Sequence, residues 1–372
     1  MNRRLNRDRI TALIVLAPSV ILIAIFVYGF IGWTAWTSTT NSNALQQLSG
    51  QSARGIGLRN YTDLFTGVLN ERFRVDIVNT IFFTALFIAA CLLLGLFMAI
   101  LLDQKVRGEG VFRAIFLFPM ALSFVVTGVV WKWLFNPTSG LNALPTYIGG
   151  PQINFRWFIS QDKWLQFQWQ NFTEIIAIIA LGVVIFLALW YWSKRNSRIA
   201  AILAAFAMLI IMWITLGNTQ ELLRLQNAET HGFNVALLAV VVAAVWQMSG
   251  YTMAMYLAGL RGIPEELREA ARVDGASEIG VYLRIILPLL APITLSAMIV
   301  LGHISLKIFD LVYAIGGGDN LFIDMPGLNM FFTTFRGNEF GRGAAIAMVM
   351  LVLVAVVIVP YLVSSLREEV DL

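Results

Sequence analysis

Residues 81–100 read IFFTALFIAACLLLGLFMAI, a run of twenty residues without a charged side chain. An α-helix needs about 20 apolar residues to cross the hydrocarbon core of a bilayer. The run therefore predicts a membrane-spanning helix. It contains the single cysteine of the chain, Cys91, which has no intramolecular disulfide partner and is expected to be a small buried apolar side chain.

The composition of the whole chain indicates the same class of protein. Of its 372 residues, 58% are apolar and only 13% are charged, and the mean hydropathy is +0.75. A soluble domain carries roughly 25% Asp, Glu, Lys and Arg, so the charge needed for a water-facing surface is missing. The composition also excludes a disordered chain, a collagen-like chain and a disulfide-built secreted scaffold.

Eight windows of the sequence are long and apolar enough to span a membrane. They are residues 12–36, 77–102, 114–135, 175–192, 199–217, 234–258, 285–307 and 343–364. The first window is too long for a signal peptide and no small-residue cleavage site follows it, so we expect an uncleaved span. The sequence predicts an all-α membrane protein with eight transmembrane helices.

The distribution of positive charge predicts the orientation of these spans. The two terminal segments and the three loops predicted on the same side of the membrane contain 15 Lys and Arg in 60 residues. The four loops predicted on the other side contain 9 Lys and Arg in 129 residues. Cytoplasmic loops carry the excess of Lys and Arg. We therefore expect a multi-pass protein of the cytoplasmic membrane with both termini in the cytoplasm.

No sequence motif indicates an enzyme. No G-x-x-x-x-G-K-[ST] is present to hold a nucleotide phosphate, and residues 316–318 are a glycine turn followed by Asp319. The two histidines and one cysteine are too far apart to suggest a zinc site. We expect no catalytic residue, metal or cofactor on this chain, and no aromatic-and-basic cluster indicates nucleic acid.

The longest predicted cytoplasmic loop reads RGIPEELREAARVDGASEIGVYLRIILPLLAP at residues 261–292. Pro264 suits the first turn of a helix, EELREAARV is strongly helix-forming, and Gly275 can end that helix at a positive φ. Ser277 can cap a second helix that runs into the next span. The pattern predicts two short helices at a sharp turn. Without a partner, the first would be an amphipathic interfacial helix.

This loop resembles the EAA loop of ABC importer permeases, and residues 261–288 are called the EAA loop below. The residues that match the family's spacing are Glu269, Ala270, Ala271, Gly275, Ile285, Leu287 and Pro288. Asp274 directly precedes Gly275. In that family the loop forms a coupling helix that docks into a cleft on the ATP-hydrolysing subunit. The resemblance implies that these residues couple the chain to a separate ATPase.

Other stretches resemble the sugar-importing branch of the family, of the maltose and α-glucoside type. They are residues 112–142, 245–264, 302–318 and 340–351. The resemblance implies a transmembrane domain over residues 77–366, preceded by a tail, first helix and outer loop at 1–76 and followed by a cytoplasmic tail at 367–372. The family core has six spans, so residues 174–217 are interpreted as an inserted helical hairpin.

Several polar and aromatic residues in the predicted spans are candidates for the substrate pathway. His303, Lys307 and Asp310 are spaced i, i+4 and i+7, which predicts one helical face that lines a cavity or holds a structural ion pair. Polar residues of the corresponding helix contact the sugar in the resembled family. The remaining candidates, which are more often contacts between helices, are Asn79, Trp246, Gln247 and Tyr251.

The resemblance implies the partners and the mechanism. We expect two ATP-binding subunits that hold ATP and Mg²⁺, a second homologous permease, an extracytoplasmic sugar-binding protein and membrane lipid, with the sugar translocated by alternating access. Three alternatives remain open. They are an ion-coupled transporter or channel that uses the His303, Lys307 and Asp310 face, a membrane scaffold without transport, and an importer of a charged solute such as glycerol phosphate.

Overall fold

The computed structural model describes residues 14–104, 106–217, 219, 221–225 and 227–370. The predicted N-terminal tail up to residue 13 and the last two residues of the predicted C-terminal tail lie outside this described part. The chain forms two compact units, residues 1–62 with 329–353 and residues 63–328 with 354–372.

The elements are almost all helical. The first half of the chain contains α1 Ile14–Ser38, α2 Ala44–Leu48, α3 Arg59–Thr66, α4 Glu71–Asp103, α5 Glu109–Leu117, α6 Phe124–Leu134, β1 Lys163–Gln168 and α7 Phe172–Ser193. The second half contains α8 Ser197–Leu216, β2 Thr230–Asn234, α9 Leu237–Gly262, α10 Glu265–Val273, α11 Glu278–Leu289, α12 Ala291–Leu306, α13 Asp310–Gly316, α14 Pro326–Phe331 and α15 Phe340–Val370.

Five of the described helices, α1, α4, α7, α8 and α9, are long and apolar enough to cross a membrane. The number rises to seven if each of two bent helix pairs is one span, and the part of α15 up to Val356 is a shorter apolar helix. The predicted all-α membrane fold is confirmed, whereas the predicted number of eight spans is not.

Two of the predicted spans are not straight helices. Within residues 114–135, α5 continues through a 3₁₀ turn and meets α6 at 100°. Pro119 in that turn has no backbone N–H to donate, and the Ser123 side chain caps α6 by accepting a hydrogen bond from Val126 N at 3.3 Å. Within residues 285–307, α11 and α12 meet at 63°, with Pro292 in the first turn of α12.

Helix α9 forms the centre of the larger unit, with 67% of its most apolar window buried. It packs so closely along α4 that a Cβ added to Gly95 would overlap the side chain of Thr252. Thr252 Oγ1 donates a hydrogen bond across the pair to Cys91 O at 2.7 Å, and Cys91 is fully buried as expected. Small residues at a crossing let two helix backbones approach, so α4 and α9 pack closely along their length.

Helices α7 and α8 form the hairpin that the sequence places at residues 174–217. Only 11% of the most apolar window of each helix is buried, so the two helices pack mainly on each other. In the segments that flank the hairpin, β1 and β2 pair antiparallel, with Lys163 opposite Asn234. Thr173 Oγ1 donates a hydrogen bond to Thr219 O at 2.8 Å. The two ends of the hairpin therefore lie side by side.

The smaller unit joins the end of α1 to the segment before α15. The backbone N–H of Gly341 donates to Ser42 O at 2.9 Å, and that of Ala44 donates to Asn338 O at 3.0 Å. These bonds fix the N-terminal segment to residues 329–353 of the same unit.

Candidate functional site

The EAA loop forms the two helices and the sharp turn that its sequence predicts. At the end of α10, Ala276 N donates a hydrogen bond to Ala271 O at 2.9 Å across Gly275, which has a φ of +82°. Glycine adopts this left-handed conformation at little cost. Ser277 Oγ accepts a hydrogen bond from Gly280 N at 3.2 Å and caps α11. Gly275 and Ser277 therefore set the angle between the two helices.

One face of the EAA loop packs against α4 and α9. Ala271, Val281 and Ile286 are buried there. They share an apolar cluster with Met98, Ala99, Leu102, Met253, Tyr256, Leu257, Leu260 and Leu290. Leu287 is half-buried and Pro288 is exposed. Burial of this apolar area holds the loop to the ends of the two central helices.

The opposite face of the EAA loop is open. The side chains of Glu269, Ala270 and Asp274 are exposed, as is Gly275. Three large apolar side chains of the same loop are also highly exposed, Val273 at 87%, Ile279 at 71% and Leu283 at 60%. Apolar surface of this kind, rimmed by polar residues, is typical of a contact site for a partner.

A nearly buried ion pair joins the EAA loop to the transmembrane helices. Arg268 Nη1 donates to Asp103 Oδ2 at 2.8 Å, and the two side chains are only 11% and 10% exposed. The other terminal nitrogen of Arg268 donates to Leu260 O at 3.1 Å. Asp103 ends α4 and Leu260 lies in the last turn of α9, so Arg268 connects α10 to both.

A second, exposed pair holds the two helices of the EAA loop together. Arg272 Nε donates to Glu278 Oε1 at 2.7 Å, and Arg272 also lies 3.6 Å from Glu265. The hydrogen bond and charge of Arg272 lower the pKa of Glu278. Exposed pairs contribute little to stability on their own, so this pair positions the turn more than it stabilises the protein.

The prediction of a common helical face for His303, Lys307 and Asp310 is wrong. Helix α12 ends at Leu306 and α13 begins at Asp310, so the helix is interrupted between them. Lys307 and Asp310 are exposed, His303 is half-buried, and within the described part of the chain Lys307 and Asp310 form no ion pair with each other. Contact of these residues with substrate stays a prediction.

Asn79 connects three elements. It is fully buried, and its Nδ2 donates to Asp324 O at 2.9 Å. Its Oδ1 accepts a hydrogen bond from Asn234 Nδ2 at 2.7 Å. In this conformation Asn79 holds α4, β2 and the segment before α14 together and is not open to a solute.

The other three candidates lie along α9. Gln247 is buried and its Nε2 donates to Leu122 O at 2.7 Å. Trp246 packs edge-on against Trp131, with 5.7 Å between ring centroids, and both rings line a mainly apolar cavity. Tyr251 is half-buried. The structure does not bring these residues together with His303 into one site.

A buried ion cluster that was not predicted from the sequence lies at the end of α4 opposite the EAA loop. Arg74 is fully buried, and two nitrogens of its guanidinium, Nε and Nη2, donate to the two oxygens of the Glu229 carboxylate, Nε at 2.7 Å. His231 Nε2 lies 3.2 Å from the same carboxylate. Burial lowers the pKa of His231. Burial acts to raise the pKa of Glu229, but the bonds from Arg74 and His231 lower it overall.

Comparisons with known proteins agree with this architecture. The family model described as binding-protein-dependent transport system inner membrane component matches residues 199–368. A probable ABC transporter permease protein of Pyrococcus horikoshii is 33% identical over 95% of each chain. The xylose/arabinose import permease protein of Haloferax volcanii is 30% identical over 94% of this chain and 86% of its own length.

A solved structure supports the fold. It is the crystal structure of a bacterial ABC transporter involved in the import of the acidic polysaccharide alginate, with a TM-score of 0.60 and 16% identity over 95% of this chain and 96% of that chain. The chain, with its EAA loop set across the ends of α4 and α9, belongs to the family of ABC transporter permeases, the inner-membrane components of binding-protein-dependent transport systems.

Proposed function

We propose that this chain is the permease subunit of an ATP-driven importer that moves a neutral sugar or oligosaccharide across the cytoplasmic membrane by alternating access. A separate ATPase, with its own ATP and Mg²⁺, drives the cycle through the EAA loop. Two such ATP-binding subunits, a second permease and an extracytoplasmic sugar-binding protein complete the assembly. Both termini lie in the cytoplasm, as the positive charge predicts.

The geometry of the EAA loop carries this proposal. Its inner face is fixed to the bundle by Ala271, Val281 and Arg268, and its outer face presents Glu269, Val273 and other side chains to solvent. A loop that is rigid towards the membrane helices and exposed on its other face suits the transfer of a partner's motion into those helices.

A neutral sugar as substrate is supported by the xylose/arabinose import named for the Haloferax relative. Two arginines at the start of α4 are paired with carboxylates. Arg74 binds Glu229, and Arg72 binds Asp324 at 2.5 Å. Their positive charge is shared with these carboxylates, which argues against a phosphate bound by this pair of arginines and so against glycerol phosphate as the solute.

The test is co-purification of the tagged chain from its native membrane in mild detergent, followed by sugar-stimulated ATP hydrolysis of the complex. We expect an ATP-binding subunit and a second permease to co-purify. Gly275→Pro, which cannot adopt a φ of +82°, and Glu269→Lys should remove the ATP-binding subunit and reduce uptake at least tenfold while the chain stays in the membrane.

Glu221→Lys is the matched control, since it makes the same charge reversal on an exposed residue far from the EAA loop along the chain. It should leave co-purification and uptake unchanged. Normal uptake in both EAA-loop variants would contradict the proposal. Transport by the purified chain alone in liposomes without ATP would favour ion coupling instead.

A further inference from the structure

The turn between α7 and α8 carries a group of basic side chains. They are Lys194 and Arg195 in the turn and Arg198 in the first turn of α8, and all three are exposed. Residues 190–198 are called the hairpin tip below. The backbone N–H of Lys194 donates to Trp190 O at 3.1 Å and closes the end of α7. The turn therefore holds the three positive charges together at one end of the hairpin.

The positive charge of the hairpin tip is not neutralised by a carboxylate. On the EAA loop, by contrast, Arg268 pairs with Asp103 at 2.8 Å. Among the described residues, none of the three basic side chains of the hairpin tip forms an ion pair. The only acidic residue of α7 and α8 is Glu174, in the first turn of α7. Glu174 and Lys194 are separated by the length of α7, which is roughly 30 Å at 1.5 Å per residue.

Aromatic and apolar side chains adjoin these charges. Trp190 and Trp192 are 42% and 71% exposed, and Lys194 Nζ lies 4.4 Å from the centre of the Trp190 ring. Tryptophan is enriched where a membrane protein meets the headgroup region. Exposed apolar residues continue from the tip along both helices, as at Leu189 and Ile202, with 65% and 68% exposure. The hairpin tip thus joins a positively charged surface to an apolar surface that hydrocarbon chains can cover.

We propose that the hairpin tip binds the headgroups of anionic phospholipids. Lys and Arg side chains next to a membrane helix attract anionic headgroups, and their N–H groups donate strong hydrogen bonds to phosphate oxygens. The acyl chains of the same lipids lie against the apolar surfaces of α7 and α8, whereas a soluble phosphate compound would match the charges alone. This role goes beyond the orientation of the spans, because the charges contact lipid in the folded protein.

Resonance energy transfer in nanodiscs tests this contact in the purified complex. The single native cysteine, Cys91, is fully buried, so a donor dye is attached at Ser197→Cys, at the exposed start of α8. The complex without this substitution gives the background. The acceptor dye is on an acyl chain of phosphatidylglycerol, which is anionic, or of phosphatidylcholine, which has no net charge. At equal acceptor content we expect at least twofold more transfer to phosphatidylglycerol, and a smaller difference at high salt, which screens exposed charges.

Charge variants of the hairpin tip make the test specific. The combined substitution Lys194→Gln, Arg195→Gln and Arg198→Gln should give equal transfer to the two lipids. The matched set Lys194→Arg, Arg195→Lys and Arg198→Lys keeps the charges and should keep the preference. Because all three side chains are exposed, neither set disturbs a buried contact. A donor at Leu69→Cys, a site that is 89% exposed just before α4, should show no preference.

Three results would overturn the lipid contact. The first is equal transfer to the two lipids when the three basic side chains are intact, and the second is a preference that persists after all three are neutralised. The third is a preference of equal size from Leu69→Cys, which would assign the effect to the protein as a whole. None of these results changes the function proposed above, because the measurement contains no transport step.

Discussion

Arg74 is a buried charged residue whose stability depends on the partners around it. A fully buried guanidinium is tolerated only with an anion and further acceptors around it. Glu229 supplies the anion, and the carbonyl oxygen of Gly67 accepts another hydrogen bond at 2.9 Å. His231 Nε2 completes the cluster, 3.2 Å from the Glu229 oxygen that also accepts from Arg74 Nε. Three residues separated by up to 157 positions thus fix the sheet formed by β1 and β2 to the beginning of α4.

This cluster predicts a pH dependence of stability. The pKa of His231 is lowered by burial, so the folded protein binds this proton less readily than the unfolded chain, whose histidine pKa is about 6.5. The contribution of neutral His231 to the free energy of unfolding is therefore complete above about pH 6.5. It is lost as the pH falls towards the pKa of His231 in the folded protein. The lowered pKa of Glu229 acts in the same direction at lower pH.

We expect the Tm of the purified chain to fall on acidification from about pH 7 to about pH 5. Scanning fluorimetry across this range measures it. His231→Gln should flatten the upper part of this profile, because it removes the titrating imidazole. An unchanged profile in that variant would show that another group carries the dependence.

At the level of elements, the sequence could predict what local chemistry determines. The helix-turn-helix of the EAA loop follows from Pro264, Gly275 and Ser277, and each signal lies within a few residues of its effect. The bend between α5 and α6 also has local signals in Pro119 and Ser123, which the length of an apolar window alone does not reveal.

Other features depend on residues far apart in the chain. The interruption after Leu306 contains no glycine or proline, so the spacing of His303, Lys307 and Asp310 suggested a continuous helix. The partners of Asn79 lie 155 and 245 positions away. Such contacts are set by packing between elements that are distant in the chain, which local sequence patterns do not reveal.

Arg268 is expected to be a positioning residue for coupling. Arg268→Asp places two carboxylates together at a nearly buried position, and loss of a buried pair costs about 3–5 kcal/mol. We expect sugar-stimulated ATP hydrolysis to fall at least tenfold. The reversed pair, Arg268→Asp with Asp103→Arg, should recover a large part of it, because the attraction between the two sites is restored.

Arg261→Asp provides the comparison for this experiment. Arg261 pairs with Glu109 at 2.7 Å, but the two side chains are 45% and 29% exposed. Exposed pairs contribute about 1 kcal/mol or less, so this variant should remain close to normal. Equal loss in the Arg261 and Arg268 variants would assign the effect to surface charge rather than to the α10–α4 connection.

For the whole molecule, we predict that the hairpin of α7 and α8 can be removed without disturbing the rest of the chain. Its helices are mostly unburied, and the hydrogen bond from Thr173 to Thr219 brings its two ends together. We predict that replacing residues 174–218 by a short Gly-Ser link leaves the chain in the membrane and in its complex, because two spans are removed and the remaining topology is unchanged.

Co-purification of the ATP-binding subunit and uptake measure this outcome. A hairpin that faces lipid should be dispensable for both. Loss of the second permease from the shortened complex would instead mean that α7 and α8 form part of the contact between subunits. A point variant that leaves the hairpin intact, Phe186→Ala on its exposed surface, should behave as the unmodified chain.

The short turn that joins α7 to α8 has a practical consequence for imaging. Lys194, Arg195 and Asn196 connect two continuous helices at an exposed tip. A small rigid helical protein grafted there, with its own helices continuing α7 and α8, would project beyond the bilayer as a fixed mark. Electron-microscopy images of a particle otherwise hidden in a detergent belt could then be aligned on that mark.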